Sequence, residues 1–241
     1  MSQCRRASVW RRPGGSAKVS DEHQPVNLEL FDDCVPEPVQ QELAPGAVLL
    51  RGFVAEQDGA VLGAVDAVLA SIALRQMQTP GGRPMSVAMA SCGELGWVTD
   101  RHGYRYERSD PDSGLAWPPM PEILSRLAMR AAAAAGYPGF LPDACLINRY
   151  APGARMGLHQ DRDERDMSQP IVSVSLGVPA VFLFGGLRRA ERPQRIHLRH
   201  GDVVVWGGPS RLRYHGVAPV KAAHHPRLGQ QRINLTFRKA G

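Results

Sequence analysis

The pattern of apolar positions divides the chain into two regimes. From residue 145 onward, short apolar runs alternate with turns. The runs are Cys145 to Tyr150, Arg155 to His159, Ile171 to Leu176, Ala180 to Phe184, Gln194 to Leu198, Asp202 to Trp206 and Arg232 to Phe237. Gly177, Pro179, Gly185, Gly186, Gly201, Gly207, Gly208 and Pro209 punctuate them. Strands at this spacing predict a closed barrel or a double-sheet jelly roll. Before residue 145 the period lengthens. Val61, Leu62, Val65, Val68, Leu69, Ile72 and Leu74 recur as one face of a helix over residues 57–77. Ile123, Leu124, Leu127, Ala128 and Ala131 do so over 121–135, with Pro121 suited to the first turn and Gly136 to the stop. Residues 78–84 read as a loop, and 92–118, rich in glycine, Trp and Tyr, as a hairpin-like flap. The expected fold is therefore mainly β with flanking helices around a jelly-roll core (a double-stranded β-helix). Residues 1–25 are expected to be a disordered basic tail, 26–144 an extension carrying the two helices and the flap, and 145–241 the core, packed with the extension as one domain.

Composition narrows the class. Hydrophobic residues make up 43% of the 241, enough for a large core and against wholesale disorder. No apolar run reaches membrane-spanning length and no secretory signal is evident, so a cytoplasmic protein with no membrane partner is expected. Cys4, Cys34, Cys92 and Cys145 lack metal-ligand spacing and read as isolated thiols. Most of the net charge of +6 sits in the first 20 residues, with Arg5, Arg6, Arg11, Arg12 and Lys18 and no acid. A second cluster runs from Arg188 to Arg213, where seven arginines face only Glu191 and Asp202. Guanidinium forks suit phosphate, although arginines on the open face of a sheet are also common. There is no G-x-G-x-x-G, so a Rossmann or P-loop reading has no support.

The candidate chemistry is His159-Gln160-Asp161. Residues i and i+2 of a strand share a face, so one imidazole and one carboxylate could hold one ion. A further histidine would complete a two-His, one-carboxylate triad that leaves positions open on a non-haem iron. A pattern this short is weak by itself. His200-Gly201-Asp202 is a second copy, read as a turn before Val203. The third ligand could come from His102, His197, His215, His224, His225 or that other copy.

Four ordered stretches change the weight of these residues. LINRYAPGARMGLHQDRDE (146–164), PIVSVSLGVPAVFLFGG (170–186), HGDVVVWGGPSRLRYHGV (200–217) and RINLTFR (232–238), with CGELGWVTDRHGYRY (92–106) upstream, resemble the AlkB family of iron- and 2-oxoglutarate-dependent nucleic-acid dioxygenases, especially its bacterial DNA-repair members. The resemblance covers most of the chain after about residue 40. It implies Fe(II) on His159, Asp161 and His215, with His200 and Asp202 in structural roles. It also implies 2-oxoglutarate against Asn148, Tyr150, Arg232, Asn234 and Arg238, and a base pocket of Trp97, Tyr104, Asp163 and Arg189. Residues 232, 234 and 238 share strand parity, so one face can present all three. Arg238 is expected to anchor the distal carboxylate of the cosubstrate. With O2 as co-reactant, the implied reaction demethylates bases of the 1-methyladenine and 3-methylcytosine type in DNA, releasing formaldehyde, succinate and CO2. Single strands are expected to be accepted readily, since no base pair must open. RNA is a possible alternative substrate, and a monomer without an obligate protein partner is expected. The rival readings are a relative acting mainly on RNA or on protein side chains, a non-catalytic β-barrel binding module, and a zinc hydrolase. The last would leave Asn234 and Arg238 without a task.

Overall fold

A computed structural model of the chain describes residues 39–241; the expected basic tail lies outside the described residues. The chain runs through β1 (Gln40–Ala44), β2 (Ala47–Leu50), α1 (Asp58–Ser71), β3 (Ala88–Gly93), β4 (Gly96–Asp100), β5 (Gly103–Glu107) and α2 (Glu122–Ala134). It continues through β6 (Ala144–Tyr150), β7 (Met156–His159), β8 (Ile171–Gly177), β9 (Ala180–Phe184), β10 (Gln194–Leu198), β11 (Val203–Trp206), β12 (His215–Val217) and β13 (Arg232–Arg238). Seven strands form a large sheet in the order β1-β2-β11-β8-β13-β6-β3, and four form a second in the order β10-β9-β12-β7. Strands β4 and β5 make a separate hairpin. This is the mainly β, jelly-roll arrangement expected from the spacing of the runs.

The large sheet is a partition with two apolar faces. On one side, Val172, Val174, Leu235, Phe237, Cys145 and Ile147 pack with Val61, Val65, Leu124 and Leu127 of the helices. On the other, Leu146, Ile171 and Trp206 pack with Phe182, Phe184 and Val217 of the second sheet. Burying each such Leu, Val or Phe contributes roughly 1.5–3 kcal/mol. That explains why β8 and β13 are buried along their whole length. Alternation also means that each strand of the partition presents every second residue to the space between the sheets. For β13 these are Arg232, Asn234, Thr236 and Arg238, which are polar yet buried.

Two features differ from the sequence expectation. Helix α1 stops at Ser71, six residues early, because Ile72 turns extended and Arg75 bridges to Met89. β3 pairs with β6 at the sheet edge although its sequence, AMASCG, carries no β-branched residue. Cys92 and Cys145 are free thiols, as the sequence suggests, and face each other, buried, across that pairing.

The flap leaves the sheet at a crowded corner. Gly93 has φ +120°, a backbone that L side chains rarely adopt. A Cβ at Gly96 would lie 2.2 Å from the ring of Trp117, which is buried and donates from Nε1 to the Glu107 carbonyl at 2.8 Å. Gly96→Ala is expected to destabilise the fold by about 1–3 kcal/mol through overpacking. Chemical denaturation of the variant checks this, and an unchanged midpoint would show that Trp117 can move aside.

Candidate metal centre and its cavity

His159 and His215 are cross-strand partners between β7 and β12. Their rings lie 4.4 Å apart between centroids. Asp161, two residues past His159, turns its Oδ1 toward both, 3.5 Å from Nε2 of His159 and 3.7 Å from Nε2 of His215. Together they offer three ligand atoms within 4.8 Å of one another, the one such group among the described residues. The tautomers suit a metal. His159 Nδ1 donates to the Gly157 carbonyl at 2.8 Å and His215 Nδ1 to that of Arg213 at 3.1 Å, so Nε2 is the atom each ring turns toward Asp161.

Electrostatics divides the labour. Burial drives the His215 pKa down to about 3, and the charge of His159 adds to this, so His215 is a neutral donor. Burial also works against a charge on His159, but the Asp161 carboxylate outweighs it and raises that pKa. Burial opposes ionisation of Asp161 too, yet Arg238 and the two imidazoles hold it well below the usual carboxylate range. A deprotonated carboxylate and two neutral imidazoles are the donor set that mononuclear Fe(II) takes.

His200 and Asp202 stand apart from this group. Asp202 accepts from the Arg199 and Gly52 backbone N–H groups and from Arg51, tying down the turn before β11. His200 Nδ1 accepts from the Gly177 N–H. Neither belongs to the cluster of potential ligands.

The triad lines a cavity of about 690 Å³, which Asn148, Tyr150, Arg232, Asn234 and Arg238 also line. The structure separates the two arginines that strand parity grouped. Arg238 Nε and Nη2 both donate to Oδ2 of Asp161, at 2.8 and 2.6 Å, and its Nε lies 3.2 Å from Glu164. Its Nε and Nη2 are thus directed at protein carboxylates. Arg232 is 1% exposed, donates from Nε to Ser175 Oγ at 3.0 Å, and stands 5.0 Å over the Tyr150 ring. It has no carboxylate partner among the described residues, its Nη1 has no hydrogen-bond partner, and burial lowers its pKa. An unpaired buried guanidinium is unfavourable unless an anion joins it. Of the two, Arg232 is the one placed to receive an anion from the cavity. Parity placed both on one face but could not say which end of the strand meets protein acid and which meets open cavity. Asn148 Oδ1 and Trp206 Nε1 are also buried without partners among the described residues. Both residues line the cavity.

At the mouth, Trp97 and Tyr104 of the flap stack with ring centroids 5.6 Å apart, and Trp97 Nε1 donates to Asp163 at 3.1 Å. Arg189 lies 5.9 Å over the Tyr214 ring. All four expected base-pocket residues line the cavity. The arginine cluster is only partly a surface. Arg188, Arg189, Arg192, Arg195 and Arg199 are exposed, but Arg211 is buried in contact with Glu164, and Arg213 donates to Ser210 Oγ and the Gly185 carbonyl. Charge counting could not separate these roles. Sequence reasoning misses Tyr106, Glu164 and Trp206 as site residues and reads Arg211 only as part of the arginine cluster. The one available signal was that Glu164 closes the block containing His159.

The 2OG-Fe(II) oxygenase superfamily matches residues 46–238. The alpha-ketoglutarate-dependent dioxygenase AlkB of Salmonella typhimurium is 58% identical over 213 residues, 88% of this chain and 98% of that protein. Its Escherichia coli counterpart is 56% identical over 214 residues, 89% and 98% of the two chains. Among solved structures, OsALKBH1 is 31% identical with a TM-score of 0.69, covering 83% of this chain and 100% of that one.

Proposed function

Because the chain belongs to the AlkB family of the 2OG-Fe(II) oxygenase superfamily, and so is an Fe(II)- and 2-oxoglutarate-dependent dioxygenase, we propose that His159, Asp161 and His215 hold its iron and that its substrate is N-alkylated DNA. Bound iron, 2-oxoglutarate and O2 supply the oxidising power that hydroxylates an N-methyl carbon. The hydroxymethyl base then releases formaldehyde, and succinate and CO2 leave from the cosubstrate. The observation that carries the cosubstrate reading is the buried Arg232 guanidinium, with Nη1 unsatisfied and no carboxylate partner among the described residues, in the same cavity as the triad. Arg232 takes the distal carboxylate, with Tyr150, Asn148 and Asn234 around it, and Arg238 keeps Asp161 in place.

The protein residues at the mouth handle the base. A methyl group inside a duplex cannot reach the triad, so the nucleotide enters flipped or from a single strand. Trp97 and Tyr104 offer an aromatic surface for it, and Asp163 favours a cationic ring such as 1-methyladenine or 3-methylcytosine. Arg189, exposed beside the cavity, meets backbone phosphate. Single-stranded DNA is the preferred form, and the enzyme works as a monomer. No helix among the described residues is long and apolar enough to cross a membrane.

Product analysis on methylated single-stranded DNA, duplex DNA and RNA, run side by side, tests this reading. Formaldehyde release should be greatest from single-stranded DNA. Release from RNA alone would favour the RNA reading, and no release from any would reject a nucleic-acid substrate. Trp97→Ala should lower kcat/KM for the oligonucleotide by about tenfold or more, since base stacking contributes roughly 1–3 kcal/mol. The KM for 2-oxoglutarate should change far less. Parallel loss of both would mean that Trp97 serves the fold and not the base.

A further inference from the structure

Behind Asp161 lie three buried charged side chains, Arg238, Glu164 and Arg211. Oδ2 of Asp161 is held by Arg238, and Arg238 Nε also faces Glu164 Oε1 at 3.2 Å. Glu164 Oε2 accepts from Arg211 Nη2 at 2.9 Å. Arg211 Nη1 donates in turn to the backbone carbonyl of Asp161 at 2.6 Å. Two acids and two arginines thus close a neutral ring around one metal ligand, gripping its side chain and its backbone together. A flap residue joins the ring, because the Tyr106 hydroxyl of β5 donates to Glu164 Oε1 at 2.8 Å.

From this geometry we propose that Glu164 and Arg211 are positioning residues of the metal centre, and that Tyr106 couples the flap to the Asp161 ligand through them. The proposal rests on the reading of His159, Asp161 and His215 as metal ligands. Stability alone is a poor explanation for the ring, since buried ion pairs are often matched or bettered by well-packed apolar residues. Its effect on Asp161 is specific. With Oδ2 taken by a guanidinium, only Oδ1 faces the imidazoles, so the carboxylate offers the ion one oxygen. A second carboxylate oxygen on the ion would fill a position that the cosubstrate needs. Movement of β5, which carries Tyr104 and Tyr106, would pull on the same Glu164 oxygen that faces Arg238. Flap position and ligand geometry are thereby joined.

The test uses Co(II) as a spectroscopic probe in the full-length protein. Glu164→Gln keeps the side chain's shape and a carbonyl for Tyr106 but removes the charge. Its Co(II) dissociation constant should rise about tenfold or more. The change in its visible Co(II) spectrum on adding 2-oxoglutarate should also differ from that of the unaltered protein. A folded Glu164→Gln protein with a dissociation constant within about twofold and a superimposable spectrum would overturn the proposal. Tyr106→Phe removes only the flap's hydrogen bond and serves also if Glu164→Gln fails to fold. It should weaken Co(II) binding by about threefold or more, and unchanged affinity would overturn the coupling. In the double variant the two effects should be less than additive, whereas additive losses would mean that Tyr106 does not act through Glu164. If the unaltered protein itself binds no Co(II) at the triad, the metal reading has failed; if it binds normally and the variants match it, only the positioning role has.

Discussion

Arg232→Met raises the dissociation constant for 2-oxoglutarate by at least about a hundredfold, the expected loss of two charge-assisted hydrogen bonds at roughly 1.5–3 kcal/mol each. Co(II) affinity should hardly change, because Arg232 touches none of the triad. The fold should not suffer either. Arg232 is 1% exposed and without a carboxylate partner among the described residues, so methionine removes a buried charge that no acid there offsets, while filling most of the same space. Stability equal to or above that of the unaltered protein, alongside lost cosubstrate binding, would mark a residue kept for its ligand at some expense to the fold. Arg238→Met should behave differently and lower metal affinity, since it frees Oδ2 of Asp161 and leaves Glu164 short of a partner. Calorimetric titration of both variants with Co(II) and then 2-oxoglutarate separates the two roles. The original assignment of the distal carboxylate to Arg238 would return if that variant alone lost cosubstrate affinity with its metal site intact.

Metal affinity should collapse in His215→Ala and depend on pH in the unaltered protein. His215 is one of three donors and stays neutral, with a pKa near 3, so no proton must leave it when an ion binds. Its removal should lower Co(II) affinity by on the order of a hundredfold or more and abolish turnover, since outer partners of ligands are already worth about 10–100-fold. His159 sets the pH dependence. Its pKa lies above the ordinary 6.5, raised by Asp161 against the effect of burial, and an ion must displace the proton. Affinity is therefore full above that raised pKa and falls as pH drops through it. Co(II) titrations across the neutral and mildly acid range measure this directly. A flat profile there would mean that His159 does not ligate.

The sequence by itself determined a good deal. Period-two alternation in β6, β8 and β13 sends one set of side chains to the helices and the other to the cavity, so Asn148, Tyr150, Arg232, Asn234 and Arg238 were bound to share a wall once those strands paired. Turn residues placed the strand limits from residue 144 onward almost everywhere, and ordered motifs pointed to His159, Asp161 and His215 together. Tertiary structure alone decided the rest. The end of α1 at Ser71 and the existence of β3 depend on what Arg75 and Ala88–Gly93 pair with, which no local propensity encodes. β12 has three residues and no pattern of its own, yet its pairing with β7 brings His215 opposite His159. The division of labour between Arg232 and Arg238, and the inward turn of Arg211 from a cluster that reads as surface, depend on which acid lies within about 3 Å, the range in which a hydrogen bond forms. Such distances join residues 47 to 77 positions apart in the chain. Periodicity fixes which face a side chain occupies, and only the folded chain fixes what stands opposite it.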